Sequence, residues 1–271
     1  MIARDERSSA PLGGLLLAIS MFSIVPVPTD SDDASVLERA RTGSTLRWLP
    51  FVGALLAAMA GATGTAVLYR SSAASLLAAT VAVSLLAILS GGLHLDGLAD
   101  TADGLASRTP RDRALEIMRK SDIGPFGVVA LILVLLLDIA ALSAVSTGET
   151  PWRICTALVV AAATGRLAAV HGALGNVPAA RGSGFATLVA GTVSRLTAGL
   201  VTAAVLALGA LLALAIGANP WAWIVSQIGA LVLGWLFRRQ VTHHLGGITG
   251  DVFGALIELT TVLVLIGLSL S

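Results

Sequence analysis

The amino-acid sequence predicts an all-α fold, a polytopic integral membrane helix bundle of about seven to eight spans. It predicts one domain over residues 1–271, with a cytoplasmic loop at about 94–126 carrying the chemistry. Three observations lead there. Of 271 residues, 56% are hydrophobic and 12% charged, whereas soluble domains carry about 25% charged residues. Mean hydropathy is +0.89. The apolar residues fall into eight runs, at about 12–27, 50–69, 74–93, 127–147, 153–173, 193–216, 220–237 and 253–270, and a bilayer-crossing helix needs ~20 such residues. A net charge of +1 supplies no basic field for nucleic acid.

The first run follows Arg4 and Arg7, like a secretion signal, but Pro26-Val27-Pro28 stands where a small-residue cleavage site would be. It reads as retained, either a span or a re-entrant segment. Each of the other seven is long enough to cross. Their orientation follows from the basic residues. Arg39, Arg41 and Arg47 lie in loop 28–49, and Arg108, Arg111, Arg113, Arg119 and Lys120 in loop 94–126. Arg181 and Arg195 lie in loop 174–195, and Arg238 and Arg239 in loop 238–252. These twelve oppose two, Arg70 and Arg153, in the alternating loops, which places the four rich loops in the cytoplasm and the C-terminus outside. The single cysteine, Cys155, excludes an internal disulfide and reads as a small packing residue.

After the third run comes Gly91–Leu105, GGLHLDGLADTADGL. Asp96, Asp100 and Asp103, spaced four then three, fall within about 60° on a helix. Three carboxylates on one face repel, and a divalent cation relieves them; Gly97 and Gly104 leave room beside them for a large ligand. Thr109-Pro110-Arg111-Asp112 reads as a helix start with Thr109 as N-cap. Ala114, Leu115 and Met118 form its apolar stripe, with Arg111, Arg113, Arg119 and Lys120 around it, a pattern suited to the membrane interface. Gly124-Pro125-Phe126-Gly127 turns the chain into the next span. Metal-binding acids facing arginines suit phosphoryl transfer, and the lack of a Walker-type loop argues against simple ATP hydrolysis.

Near the C-terminus, LGGITGDVFGALIEL places Asp251 and Glu258 seven apart on one helix face. Glu258 lies in an apolar run and Arg166 in another, so each needs a partner. They either belong to the site or form a buried structural pair. Asp138, mid-span, lines a polar cavity or partners Arg166. The four histidines show no metal-ligand spacing.

The run GGLHLDGLADTADGL, followed by ALEIMRKSDIGPFG, resembles the cobalamin synthase family, the adenosylcobinamide-GDP ribazoletransferases. Three further stretches agree: Phe22–Pro28 (FSIVPVP), Leu49–Gly53 (LPFVG) and Leu245–Leu259. The resemblance implies a Mg²⁺-dependent transferase of the prokaryotic inner membrane. It would join adenosylcobinamide-GDP to α-ribazole or its 5′-phosphate, giving adenosylcobalamin or its phosphate and GMP. It carries the metal and catalytic roles onto Asp96, Asp100 and Asp103, and the C-terminal motif onto Gly250, Asp251 and Glu258. Beside these, Gly97, Gly104, Arg111, Arg119, Arg166 and Arg181 are substrate-binding candidates. The chemistry suggests the α-ribazole 5′-hydroxyl as nucleophile, with Asp103 or Asp100 taking its proton. Two departures stand out: the charges of Lys120 and Asp122 look exchanged, and Ala186 replaces the last glycine of the stretch Ala180–Ala186. A homo-oligomer is left open. Two rivals remain. A CDP-alcohol-type phosphotransferase would show an Ala-Arg pair soon after Asp96-Gly97, where Leu98-Ala99-Asp100 stands. A transporter would gather its ionisable groups at mid-bilayer.

Overall fold

The computed structural model describes residues 10–27, 45–120, 122–146, 150–175 and 177–271. Arg4, Arg7, Arg39 and Arg41 lie outside them. α1 (Ala10–Phe22) has 13 residues, about 20 Å of helix, short of the ~30 Å hydrocarbon core. The chain leaving it is pinned where the Ile24 N–H donates to the Leu89 carbonyl at 2.9 Å. A 3₁₀ turn at Leu46–Trp48 leads into α2 (Leu49–Arg70), with Pro50 in its first turn, where a missing N–H is harmless.

α3 (Ser75–Leu89) and α4 (Leu93–Ala106) meet at 89°. The bend is made by Gly91 and Gly92, at φ +64° and +68°, a region glycine enters without steric cost. α5 (Arg111–Ile117) follows, then α6 (Pro125–Val145), α7 (Trp152–Gly172), α8 (Phe185–Val189), α9 (Arg195–Ala215), α10 (Pro220–Leu245) and α11 (Gly250–Ser269). Six helices of the described residues are long and apolar enough to cross a membrane, and up to seven if the bent α3–α4 pair counts as one span. The bundle is therefore all-α and polytopic, with a shorter first helix and a broken third run.

Other expectations shift locally. Pro110, not Thr109, caps α5, with no side-chain bond to the helix; Thr109 instead meets the Ser107 hydroxyl at 2.8 Å. The expected stripe of Ala114, Leu115 and Met118 is buried. α10 continues past the apolar run to Leu245, because Arg238, Arg239 and Gln240 are good helix formers that end the greasy surface without ending the helix.

α7 is the central post, buried along nearly its whole length. α2 and α11 clamp it by close approach: a Cβ on Gly61 would lie 2.6 Å from Cys155 Cα, and one on Gly165 would lie 2.6 Å from the Ile257 carbonyl. Cys155 is thus the small packing residue expected. Leu133, Leu136 and Leu137 of α6, Leu200, Leu211 and Leu214 of α9 and Val232, Leu233 and Leu236 of α10 are exposed. Apolar faces that large belong in lipid.

Candidate active site

The end of the bundle carrying the basic loops is organised by α4. It turns 89° from α3 and packs against α11 and α6, where Leu98 shares an apolar cluster with Ala255 and Val134. A Cβ on Gly97 would lie 2.7 Å from the Asp251 carbonyl oxygen, and one on Gly254 would lie 2.8 Å from that of His94. Two glycines thus let α4 and α11 touch backbone to backbone, setting Asp96 and Asp100 beside Asp251. Further along α4, Asp103 is seated on the start of α6: its carboxylate accepts from Gly124 N–H at 2.7 Å and Gly127 N–H at 2.9 Å. Side chains at either glycine would strike that carboxylate.

Arg181 arrives from another direction. Residues 178–180 pair with 247–248: Ile248 N–H donates to Pro178 O at 2.9 Å and Ala180 N–H to Ile248 O at 2.9 Å. This places the Arg181 Nη1 3.4 Å from Asp251 Oδ2, while its Nη2 donates to Leu115 O at 2.9 Å. The Thr249 hydroxyl caps α11 at Val252 N–H, 3.2 Å, and lies 3.3 Å from Asp251 Oδ2.

Asp96, Gly97, Arg181, Thr249 and Asp251 border a cavity of about 430 Å³ that also meets Leu46, Phe22, Phe185 and Phe253. Phe185 stands edge-on to Phe22 and to Phe253, centroids 5.6 and 5.9 Å apart, so acids and an arginine face an aromatic wall. Asp100 is pushed up to about 7, first by desolvation, then by Asp251, Asp96 and Asp103, with Arg181 opposing. The site carries more negative charge than it can hold ionised.

Several candidates have other places. Among the described residues no three His, Cys, Asp or Glu side chains stand ready to share one metal ion, and Asp103 spends both oxygens on backbone N–H groups. A Cβ on Gly104 would lie 2.5 Å from the Met118 side chain: Gly104 seats α5 and leaves no ligand space, whereas Gly97 borders the cavity. Arg111 ties α5 down, donating from Nε to Leu245 O at 2.7 Å and from Nη2 to Ala180 O at 2.8 Å. Arg119 borders a neighbouring cavity of about 290 Å³ reached by Arg181.

Arg166 and Glu258 come together, but inside the bundle. With Asp138 they enclose about 20 Å³, and Glu258 Oε1 lies 3.7 Å from the Nδ1 of His94, a buried residue that borders the main cavity. Asp138 thus shares the cavity of both, a link the sequence left open. That space fits one water.

A bundle whose described residues set carboxylates, an arginine and aromatic rings around a cavity at one end is a membrane protein with a polar site at one face. The chain belongs to the cobalamin-5-phosphate synthase family, whose profile it matches over residues 14–269. Proteins named adenosylcobinamide-GDP ribazoletransferase resemble it end to end. That of Frankia casuarinae is 38% identical over 94% of this chain and 93% of its own. Those of Citrobacter koseri and Bradyrhizobium diazoefficiens are 38% and 35% identical, over 92% and 98% of this chain and 96% of each relative. No solved structure matches the chain.

Proposed function

We propose that the chain is an adenosylcobinamide-GDP ribazoletransferase of the prokaryotic cell membrane. It joins adenosylcobinamide-GDP to α-ribazole or its 5′-phosphate and releases GMP, working at its cytoplasmic face. The observation that carries this reading is the meeting of Asp96, Asp251 and Arg181 at one cavity with an aromatic wall, with Asp100 near enough to feel the charge of all three. A cavity of about 430 Å³ suits a nucleotide-sized group and is too small for a corrin, which would stay outside on the membrane face.

Mg²⁺ fits the residues present. It takes one or two carboxylates and completes its shell with water and phosphate, and Asp100 lies among carboxylates that repel one another. One or two of Asp96, Asp100 and Asp251 would hold it, with Asp103 fixing α4 on α6 instead. When bound, Mg²⁺ would supply positive charge to the pyrophosphate. Arg181 offsets charge on the departing phosphate. The carboxylate left free takes the acceptor's proton, and Asp100, poised near neutrality, suits general-base work at neutral pH. The hydroxyl attacks the phosphorus nearer cobinamide, forming the new P–O bond as the P–O bond to GMP breaks. An acceptor bearing a 5′-phosphate has no 5′-hydroxyl to offer, so a mechanism shared by both acceptors uses another ribose hydroxyl, in place of the 5′-hydroxyl first considered.

The test is product analysis with the purified chain in lipid. Adenosylcobinamide-GDP and α-ribazole should yield adenosylcobalamin and GMP in equal amounts, and chelation of Mg²⁺ should abolish both. GMP released without corrinoid product would mean hydrolysis, and no GMP at all would remove the transferase reading.

A further inference from the structure

α10 has 26 residues, about 39 Å of helix, against ~30 Å of hydrocarbon. About six of its residues must therefore stand beyond the apolar layer. The interface is marked at its site-side end by Arg239, whose guanidinium lies 5.7 Å from the centre of the Trp235 ring, a pairing of basic and aromatic side chains suited to headgroup depth. Here, between the end of α4 and the last turns of α10, lies a cavity of about 680 Å³. Leu105, Phe237 and Val241 give it an apolar floor, and Arg108, His243 and His244 stand on its rim. It has no carboxylate among its lining residues and shares none of them with the active-site cavity.

Arg108 is the distinctive member. Among the described residues it is the one non-glycine at positive φ, 50°, a conformation that strains a side-chain-bearing residue. The residue is exposed.

We propose that this cavity holds the phosphate headgroup of an anionic phospholipid. The depth is that of headgroups, Arg108 brings a permanent positive charge with no acid among the lining residues, and the floor suits the first carbons of an acyl chain. A free phosphate would use the rim and leave the floor bare. Arg108 carries the recognition, and the lipid clamps the end of α4, whose other end forms the active site.

The test offers the full chain equal amounts of phosphatidylglycerol and phosphatidylcholine in detergent and counts retained lipids by native mass spectrometry. The wild type should retain phosphatidylglycerol preferentially. Arg108→Gly should cut that preference about fivefold with no fall in thermal midpoint, because glycine accepts the positive φ. Arg108→Gln should show the same loss, and Arg108→Lys should keep most of the preference. Equal retention of the two lipids by the wild type, or an unchanged preference in Arg108→Gly or Arg108→Gln, would overturn the proposal. Displacement of the lipid by inorganic phosphate would overturn it too, assigning the cavity to a soluble anion.

Discussion

At the scale of single residues, Asp96, Asp100 and Asp103 share one helix face but not one task. The spacing that put them together is real, and it could not reveal their partners, which come from other parts of the chain. Asp96 is exposed, Asp100 half-buried and Asp103 buried, and only Asp103 meets Gly124 and Gly127. In retrospect the Gly-Pro-Phe-Gly run held the signal: two glycines bracketing a helix start leave bare N–H groups for an acid from elsewhere. Asp103→Asn should therefore act mainly on stability. Its amide can accept from one backbone N–H but turns its own NH₂ toward the other, a loss of about 1–3 kcal/mol. Thermal unfolding in detergent should show a lower midpoint for Asp103→Asn and little change for Asp96→Asn. Equal midpoints would mean the seat on α6 carries no stability.

At the scale of elements, the site depends on α4 crossing α11 at contact distance. Hydropathy marked the helices well, since it reports which segments need lipid. It did not mark the 89° turn at Gly91-Gly92 or the pairing of 178–180 with 247–248, because both rest on backbone geometry and distant partners. Arg111 reads from sequence as an anion-binding residue, and the structure adds a tie between α5 and two carbonyls, a role composition cannot show. A methyl group at Gly254 must push the helices apart, since its Cβ would also lie 3.2 Å from Gly97 Cα. Gly254→Ala should cost about 1–3 kcal/mol by overpacking and lower turnover more than tenfold, because Asp96 and Asp100 retreat from Asp251. Gly199→Ala, where nothing lies within 4 Å, is the control and should leave both measurements unchanged. Equal behaviour of the two variants would show that the crossing is not under the constraint described.

At the scale of the whole molecule, the basic loops, the acids and the cavity gather at one end, and the buried group of Asp138, Arg166 and Glu258 lies beneath it. Net counts of arginine anticipated that gathering, since Leu46, Asp96, Arg181 and Asp251, from four separate loops or helix starts, border one cavity. The depth of Glu258 was not legible, because a helix face gives direction and not distance from the membrane surface. If the gathered end faces the cytoplasm, cysteine at the exposed Asp112 should resist an impermeant thiol reagent in intact cells, and cysteine at the exposed Ser72 should react; the reverse labelling would invert the topology. The central claim is that the carboxylates at the α4–α11 crossing perform the transfer, and the most direct measurement is the turnover of Asp100→Asn in the purified chain, assayed as adenosylcobalamin formed from adenosylcobinamide-GDP and α-ribazole. The account predicts a folded protein with wild-type thermal midpoint and a rate lowered by about 10²-fold or more, the loss of ~3 kcal/mol of transition-state stabilisation. A folded Asp100→Asn protein turning over at near wild-type rate would contradict it.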